Sequence, residues 1–269
     1  MSTSVPTSFV QLYASEVKAA YQREGSLLRQ AVRIREGVTA ERVYFPKLGK
    51  GIATAKGRHA DVVPMNLAHS RVYADLQDYY APEYIDELDQ VKVNWSLRSE
   101  YVRASAWALG RQTDSLIIDA TVAAKPPDAT ALTTLDKAGI LAISKALTTA
   151  DVPLDRQRWA VISSNYLKDL LAITEAASSD FSTEQILVSG KAPAFWMGFN
   201  WLVHTGLDAR SDHVEGLFFH TSAIGLAIGR DIQTAIDWVP EKVAWLVNSW
   251  MSMGAVGIDT TGIITKKTA

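Results

Sequence analysis

The residues best able to do chemistry do not have the spacing that a catalytic or binding motif requires. The stretch Gly49–Arg58 has the composition of a phosphate-binding loop. It lacks the G-x-x-x-x-G-K-[ST] spacing, and no strand-then-helix pattern surrounds it. The sequence therefore favours a hairpin with solvated lysines. A soluble α/β enzyme or binding protein for a phosphorylated ligand is kept as an alternative hypothesis.

Metal binding and catalysis receive no better support. No pair of histidines has H-x-x-x-H or H-E-x-x-H spacing, and no G-x-S-x-G motif is present. Asp86, Glu87 and Asp89 are close in sequence, but an exposed helical face explains them more simply than a metal site. We therefore predict no catalytic residue, no metal, no cofactor and no enzymatic activity. The five histidines are His59, His69, His204, His213 and His220.

Composition excludes several classes of protein. The chain has 269 residues, of which 48% are hydrophobic, and a net charge of −2. These values argue against disorder and against a histone-like basic coat on DNA. The absence of cysteine excludes disulfides, zinc fingers and thiol catalysis. No secretory signal or membrane-spanning segment is recognised, and Gly225–Gly229 is interpreted as a tight turn beside a strand.

The near-neutral net charge conceals two oppositely charged segments. Residues 33–58 hold seven basic and two acidic side chains, and residues 75–90 hold six acidic and no basic ones. Complementary segments on one chain suit head-to-tail contacts between copies, although solvated surfaces explain them equally well. The predicted inter-subunit contacts of the loop are Arg42, Lys47, Lys50, Lys56 and Arg58. The predicted acidic acceptors are Asp75, Asp78, Glu83, Asp86, Glu87 and Asp89.

The first third of the chain is predicted as a helix, a hairpin and a short acidic helix. Helical spacing runs from Phe9 to Ile34, with a break at Gly25. Two extended runs follow around a turn at Gly49 and Gly51, and a proline in the first run indicates an edge or projecting position. This hairpin has too little apolar surface for a core of its own, so it needs another surface to lie on. Residues 83–90 are predicted to be helical.

Leu97–Ala124 gives the clearest pattern. Apolar residues recur in steps of four and three, and Lys125-Pro126-Pro127 ends the pattern. At 1.5 Å per residue the helix is roughly 40 Å long, which is typical of the spine of a domain. Its predicted core residues are Val102, Leu109 and Leu116.

An α/β region follows the two prolines. Helices are predicted near 134–149 and 164–175, and strands near 159–163, 195–204, 216–219, 232–239 and 243–250. The last strand is apolar on both faces, which is typical of a strand covered on both sides. The fold class is therefore α+β, with boundaries near residues 125 and 230.

Four stretches resemble major capsid proteins of tailed double-stranded DNA bacteriophages, and the resemblance extends over nearly the whole chain. They are Asp61-Val-Val-Pro-Met-Asn, Asp78-Tyr-Tyr-Ala-Pro-Glu-Tyr-Ile-Asp, Ala223-Ile-Gly-Leu-Ala-Ile-Gly-Arg-Asp-Ile and Ile236-Asp-Trp-Val-Pro-Glu-Lys-Val-Ala-Trp-Leu-Val-Asn.

The resemblance implies the Hong Kong 97-type capsid fold and assigns five parts. Residues 1–37 would be an N-terminal arm and 38–75 an extended loop lying across a neighbouring subunit. Residues 76–128 would form a peripheral domain with the spine helix, and 129–230 an axial domain. Residues 231–269 would return to the peripheral domain.

The implied function is a structural shell protein of the virion. Copies would assemble in the host cytoplasm as hexamers and pentamers of an icosahedral head around DNA. The chain has no long charged helix before its arm, so a separate scaffolding protein is expected, together with a portal. A decoration protein is compatible with such a shell. Cross-linking of Lys47, Lys50 or Lys56 to Asn248, as in some relatives, is disfavoured because no carboxylate is placed beside such a pair. An encapsulin-like nanocompartment is the other alternative, and no membrane partner is expected.

Overall fold

A computed structural model describes residues 23–88, 97–127, 134–173 and 191–267. The chain divides into two compact units, which we describe separately. The first contains the described residues of 1–25, 78–111 and 231–251, and the second those of 26–77, 112–230 and 252–269.

The predicted long helix is confirmed as α1, Leu97–Ala124, and it ends before the two prolines. Its core stripe is partly wrong. Leu109 is buried, but Val102 and Leu116 are only half-buried. Polar residues take much of the buried face because each finds a partner; the Ser105 hydroxyl, for example, lies 2.9 Å from that of Ser249. The buried polar residues of α1 are Ser105, Thr113, Asp114 and Thr121.

A five-stranded mixed sheet forms the main core of the second unit. Its strand order is β11-β8-β5-β7-β6, with β5 parallel to β7 and antiparallel to β8. Two helices, α2 and α3, pack on it, and Ser163 caps α3 by accepting from the Tyr166 amide. These elements are α2 Lys137–Thr149, β5 Arg158–Ile162, α3 Ser164–Ala172, β6 Phe195–Trp196, β7 Phe199–Val203, β8 Val214–His220 and β11 Ile263–Lys267.

A four-stranded sheet has the order β1-β9-β10-β4. Its strands are β1 Arg33–Arg35, β4 Gln77–Asp86, β9 Ile224–Val239 and β10 Ala244–Gly257. In the first unit Ile85 of β4 and Val247 of β10 form a small buried cluster with Tyr101 and Val102 of α1. In the second unit β1 runs parallel to β9, with Arg33 opposite Gly225.

A separate hairpin joins β2, Arg42–Leu48, to β3, His69–Asp75. Its base packs through Val43, Phe45 and Ala74 against Ala227 and Ile258. The backbone of β9 must come close to the hairpin here, because a Cβ at Gly225 would lie 2.8 Å from the Phe45 ring.

Several predicted elements need correction. The helix over 9–34 lies outside the described residues up to 22, and its last part is a 3-10 turn at Arg29–Ala31 followed by β1. Of the predicted helix over 83–90, residues 83–86 belong to β4, which continues to Asp86, residues 87–88 are helical, and residues 89–90 lie outside the described residues. The hairpin returns at His69, not directly after Gly51. Gly225–Gly229 lies within β9. All residues of β10 are buried or half-buried, whereas Val243, where the last strand was predicted to begin, precedes it and is exposed.

Candidate functional site

The hairpin carries the predicted basic residues, and its base has two different faces. Strand register places Tyr44 opposite Tyr73 and Arg42 opposite Asp75 on the outward face. Arg42 lies 4.8 Å from the centre of the Tyr73 ring, and Arg71 lies 4.7 Å from that of Tyr44. Interleaved arginine and tyrosine stabilise each other by cation–π contact and are common at protein interfaces.

Three of the predicted loop contacts have partners within their own chain. Arg42 pairs with Asp75 at 2.6 Å, which raises the arginine pKa. Lys47 Nζ lies 2.8 Å from Asp259, and Lys50 pairs with Asp151. The Arg42 pair joins the two strands of the hairpin, and the two lysine pairs connect the hairpin to other residues of its own unit, whereas these cations were predicted to contact a neighbouring subunit.

The lysine partners lower the pKa of two of these carboxylates, Asp259 and Asp151. Burial raises the pKa of Asp259, but hydrogen bonds from Lys47 and Thr261 outweigh it, and the net shift is downward. The ammonium of Lys50 lowers the pKa of Asp151 by hydrogen bonding and by charge. Both pairs are partly or largely exposed, so they orient the hairpin more than they stabilise the fold.

The hairpin tip, residues 49–68, has neither helix nor strand, and its large apolar side chains face solvent. Ile52 is 82% exposed and Val62 73%, and Val63 and Met65 are exposed too. Lys56 and Arg58 lie on the same tip and are exposed. Such a cluster of exposed apolar residues is typical of an interaction surface.

Three of the described acidic acceptors have partners near them in sequence or in the same unit. Asp75 is paired with Arg42, while Asp78 and Glu83 are exposed on β4. Near the end of β4, Asp86 accepts from the Leu88 amide at 2.7 Å, and Glu87 accepts from the Trp245 indole at 2.6 Å. Asp89 lies outside the described residues.

Ser222, His220 and Asp155 are arranged like a catalytic triad, but the histidine is not placed to act as a general base. His220 Nε2 lies 3.1 Å from Asp155 Oδ1, and its Nδ1 lies 2.7 Å from the Ser222 hydroxyl. The Ser222 amide also donates to Nδ1, at 3.2 Å, so the lone pair that would take the hydroxyl proton is already used. The imidazole therefore caps the short 3-10 turn Thr221–Ala223. Among the described residues no group of acids and histidines could hold a metal ion.

Sequence reasoning missed the most buried polar network. Asp114 of α1 accepts from the Ser26 hydroxyl at 2.6 Å and from the Leu27 and Leu28 amides at 3.1 and 3.0 Å. His204 Nε2 lies 3.0 Å away, and since its Nδ1 accepts from the Gly206 amide, Nε2 carries the proton. The only sequence signal was an aspartate within the apolar pattern of α1.

The network keeps Asp114 charged. Burial raises the pKa of its carboxyl, but the hydrogen bonds from His204, Ser26 and the two amides outweigh burial and lower it. The carboxylate thus fixes residues 26–28 to the C-terminal half of α1.

No helix of the described residues is long and apolar enough to cross a membrane.

Several solved structures similar to this chain are capsids, of phages and of a GTA particle. The chain is similar to the capsid of cyanophage P-SCSP1u (TM-score 0.76, 16% identity, 100% of this chain and 95% of the other). It is also similar to a chain of Mycobacterium phage Che8, with a TM-score of 0.75 and 19% identity over 96% of this chain and 97% of the other. The mature capsid of bacteriophage PhiM1 gives a TM-score of 0.73 and 10% identity over 97% of this chain and 92% of the other. These likenesses confirm the predicted Hong Kong 97-type α+β fold.

The family follows from the sequence itself. A family model described as phage capsid protein matches residues 5–268, and the chain belongs to that family. No curated protein matches it. The predicted structural role in a phage capsid is thereby confirmed, and neither the phosphorylated-ligand protein nor the nanocompartment gains support.

Proposed function

We propose that many copies of this chain assemble as hexamers and pentamers into the closed icosahedral head that encloses the phage double-stranded DNA. Family membership over 5–268 supports the capsid role. Assembly would take place in the host cytoplasm, with a separate scaffolding protein and a portal, and a decoration protein could bind the finished shell. Packaged DNA would contact the protein without sequence specificity, and no membrane takes part.

The exposed hairpin tip is the observation that carries this proposal. Ile52, Val62, Val63 and Met65 of the tip are each more than half exposed in their own chain. Burying this surface against a neighbouring copy would gain roughly 25 cal/mol for each Å² of apolar area. Repeated at every contact of a closed shell, modest contacts sum to a stable particle.

The predicted division into arm, extended loop, peripheral domain, axial domain and returning strands is part of this proposal. Lys56 and Arg58 are the loop cations that we assign to a neighbouring copy, with Asp78 and Glu83, which are exposed on β4, as acceptors. Lys47, Lys50 and Arg42 act first within the chain, where their ion pairs set the direction of the hairpin.

Electron microscopy and sedimentation of the purified protein test the proposal. Wild-type protein, co-produced with its scaffolding protein where one is required, should give shells or ring-shaped capsomers. A variant with residues 50–67 replaced by Asn-Gly, a turn suited to a two-residue hairpin, should fold with an unchanged circular dichroism spectrum and remain unassembled. Leu141→Ser is the control, because it removes an exposed apolar side chain elsewhere. Normal shells from the shortened variant would contradict the assigned role of the tip.

A second measurement separates a viral head from a nanocompartment. Nucleic acid extracted from particles of infected cells should be nuclease-protected double-stranded DNA. An enzyme cargo without DNA would contradict the proposal.

A further inference from the structure

The second unit contains an open groove between α2 and β11. The groove has a volume of about 380 Å³, which is in the range of binding pockets. Ala142, Ile143 and Ala146 form its helical wall, and Ile264 lies on the strand side. The alanines are exposed, so an incoming apolar side chain can approach the helix closely.

Two cations give the groove a definite electrostatic character. Lys125, directly after α1, and Lys266 of β11 both line it, and none of the described residues that line it is acidic. A hydroxyl of Thr265 donates to the Lys125 carbonyl at 2.7 Å, which fixes the backbone that carries the first lysine. The groove therefore suits an apolar side chain flanked by acidic groups.

The first unit presents that combination. Leu88 is 67% exposed, and it directly follows Asp86 and Glu87, which are exposed as well. The Asp86 carboxylate accepts from the Leu88 amide, so the acid and the leucine are held together in one turn. We call residues 86–88 the acidic tip.

We propose that the groove binds the acidic tip of a second copy of this chain, with Leu88 against the alanines of α2 and the acids near Lys125 and Lys266. The inference rests on the proposed assembly of many copies. Each copy carries one tip and one groove on different units, so the contact is head-to-tail and repeats from copy to copy. Charge complementarity sets its register.

Charge reversal with rescue tests the assignment. Lys125→Glu and Asp86→Lys should each reduce the yield of assembled particles, measured by sedimentation, by about tenfold or more, because like charges then face each other. The double variant should recover most of the wild-type yield. Lys145→Glu is the control, since Lys145 is an exposed lysine of α2 that does not line the groove.

A steric variant tests the apolar part. Ala146→Trp should fill the groove and block assembly, whereas Leu141→Trp, on the same helix outside the groove, should not. Circular dichroism and thermal melting check that each variant is folded.

Each outcome decides between the hypotheses. Normal assembly of Lys125→Glu or of Ala146→Trp would overturn the groove as an interface and leave the proposed function intact. Loss of assembly without rescue by Asp86→Lys would mean that another segment or another protein occupies the groove, which overturns the assignment of the tip. A wild-type chain that remains monomeric with its scaffolding protein would contradict both proposals.

Discussion

The core beside the five-stranded sheet and the tip of the hairpin place large apolar side chains in opposite environments. Phe199, Phe218 and Tyr166 are fully buried by their own chain, whereas Ile52 and Val62 of the tip are almost wholly exposed. The first set stabilises the folded monomer. The exposed side chains of the hairpin tip can add a favourable burial free energy only when another molecule covers them. Substitutions should therefore divide into those that change the unfolding free energy and those that change assembly.

The largest loss of stability is expected in the core. Phe218 lies 5.7 Å from Phe199 and 6.3 Å from Trp201, ring centre to ring centre. Phe218→Ala should lower the free energy of unfolding by about 3–5 kcal/mol, because it removes buried contacts and leaves a cavity. Urea unfolding measures it, with Phe195→Ala, at a half-exposed ring of the same sheet, as the control. Equal losses at the two positions would contradict the burial pattern.

The spine helix provides a second comparison. Leu109 is buried and Leu116 is half-buried on the same helix. Leu109→Ala should cost about 2–5 kcal/mol of unfolding free energy. Leu116→Ala should cost less, since less apolar surface returns to water. Thermal unfolding of the two single variants measures both losses. Helical spacing alone would predict equal losses at the two positions.

Asp114 is the polar counterpart of these core residues. Asp114→Asn should lower the free energy of unfolding at pH 7 by about 1–3 kcal/mol, because an amide cannot accept from all four donors and leaves some of them unpaired. The folded pKa of Asp114 is lowered. Its contribution is therefore complete above the unfolded carboxyl pKa of about 3.9 and is lost as pH falls through the lower folded value.

Urea unfolding of wild type and Asp114→Asn over a pH series measures this. The difference between the two proteins should narrow below pH 4. A difference that stays constant down to acid pH would mean that packing, and not the charge, carries the effect. Ser26→Ala removes one donor and leaves the charge, so it separates the two contributions.

The hairpin ion pairs should have small effects on stability. Lys47→Met should change the unfolding free energy by less than about 1 kcal/mol, because both partners are about one-third exposed. Salt should reduce even this effect by screening. Lys50→Met, at a still more exposed pair, should be neutral in urea unfolding. A large loss in either variant would show that the pair stabilises the fold.

The sequence predicted elements with long or regular patterns well. The 28 residues of α1 were bounded correctly because apolar spacing and two prolines mark both its length and its end. The strand β4 was missed and a helix was predicted from residue 83, whereas Ile85 packs against Val247 as part of a sheet and the helix begins only at Glu87. Tertiary contacts determine whether such a segment forms a strand or a helix, and local propensity does not reveal those contacts.

For the charged residues, too, the sequence predicted local features and not tertiary partners. Segregation of charge along the chain was readable from the sequence, but the partners were not. Lys47 pairs with Asp259 and Lys50 with Asp151, residues more than one hundred positions away. Likewise, nothing local to Asp114 indicates that Ser26 and His204 converge on it. Pairings of this kind depend on the fold, so the sequence could locate the hairpin without identifying what its lysines contact.

Substitutions in the hairpin tip should have the smallest effect on stability and the clearest effect on assembly. A triple variant with serine at Ile52, Val62 and Val63 should unfold within about 0.5 kcal/mol of wild type, as exposed substitutions usually do. The same variant should fail to form shells, because the surface that a neighbouring copy would cover has become polar. Urea unfolding and sedimentation on one preparation measure both quantities. A clear loss of stability would mean that the tip packs on its own chain, and the contrast between core and tip would then disappear.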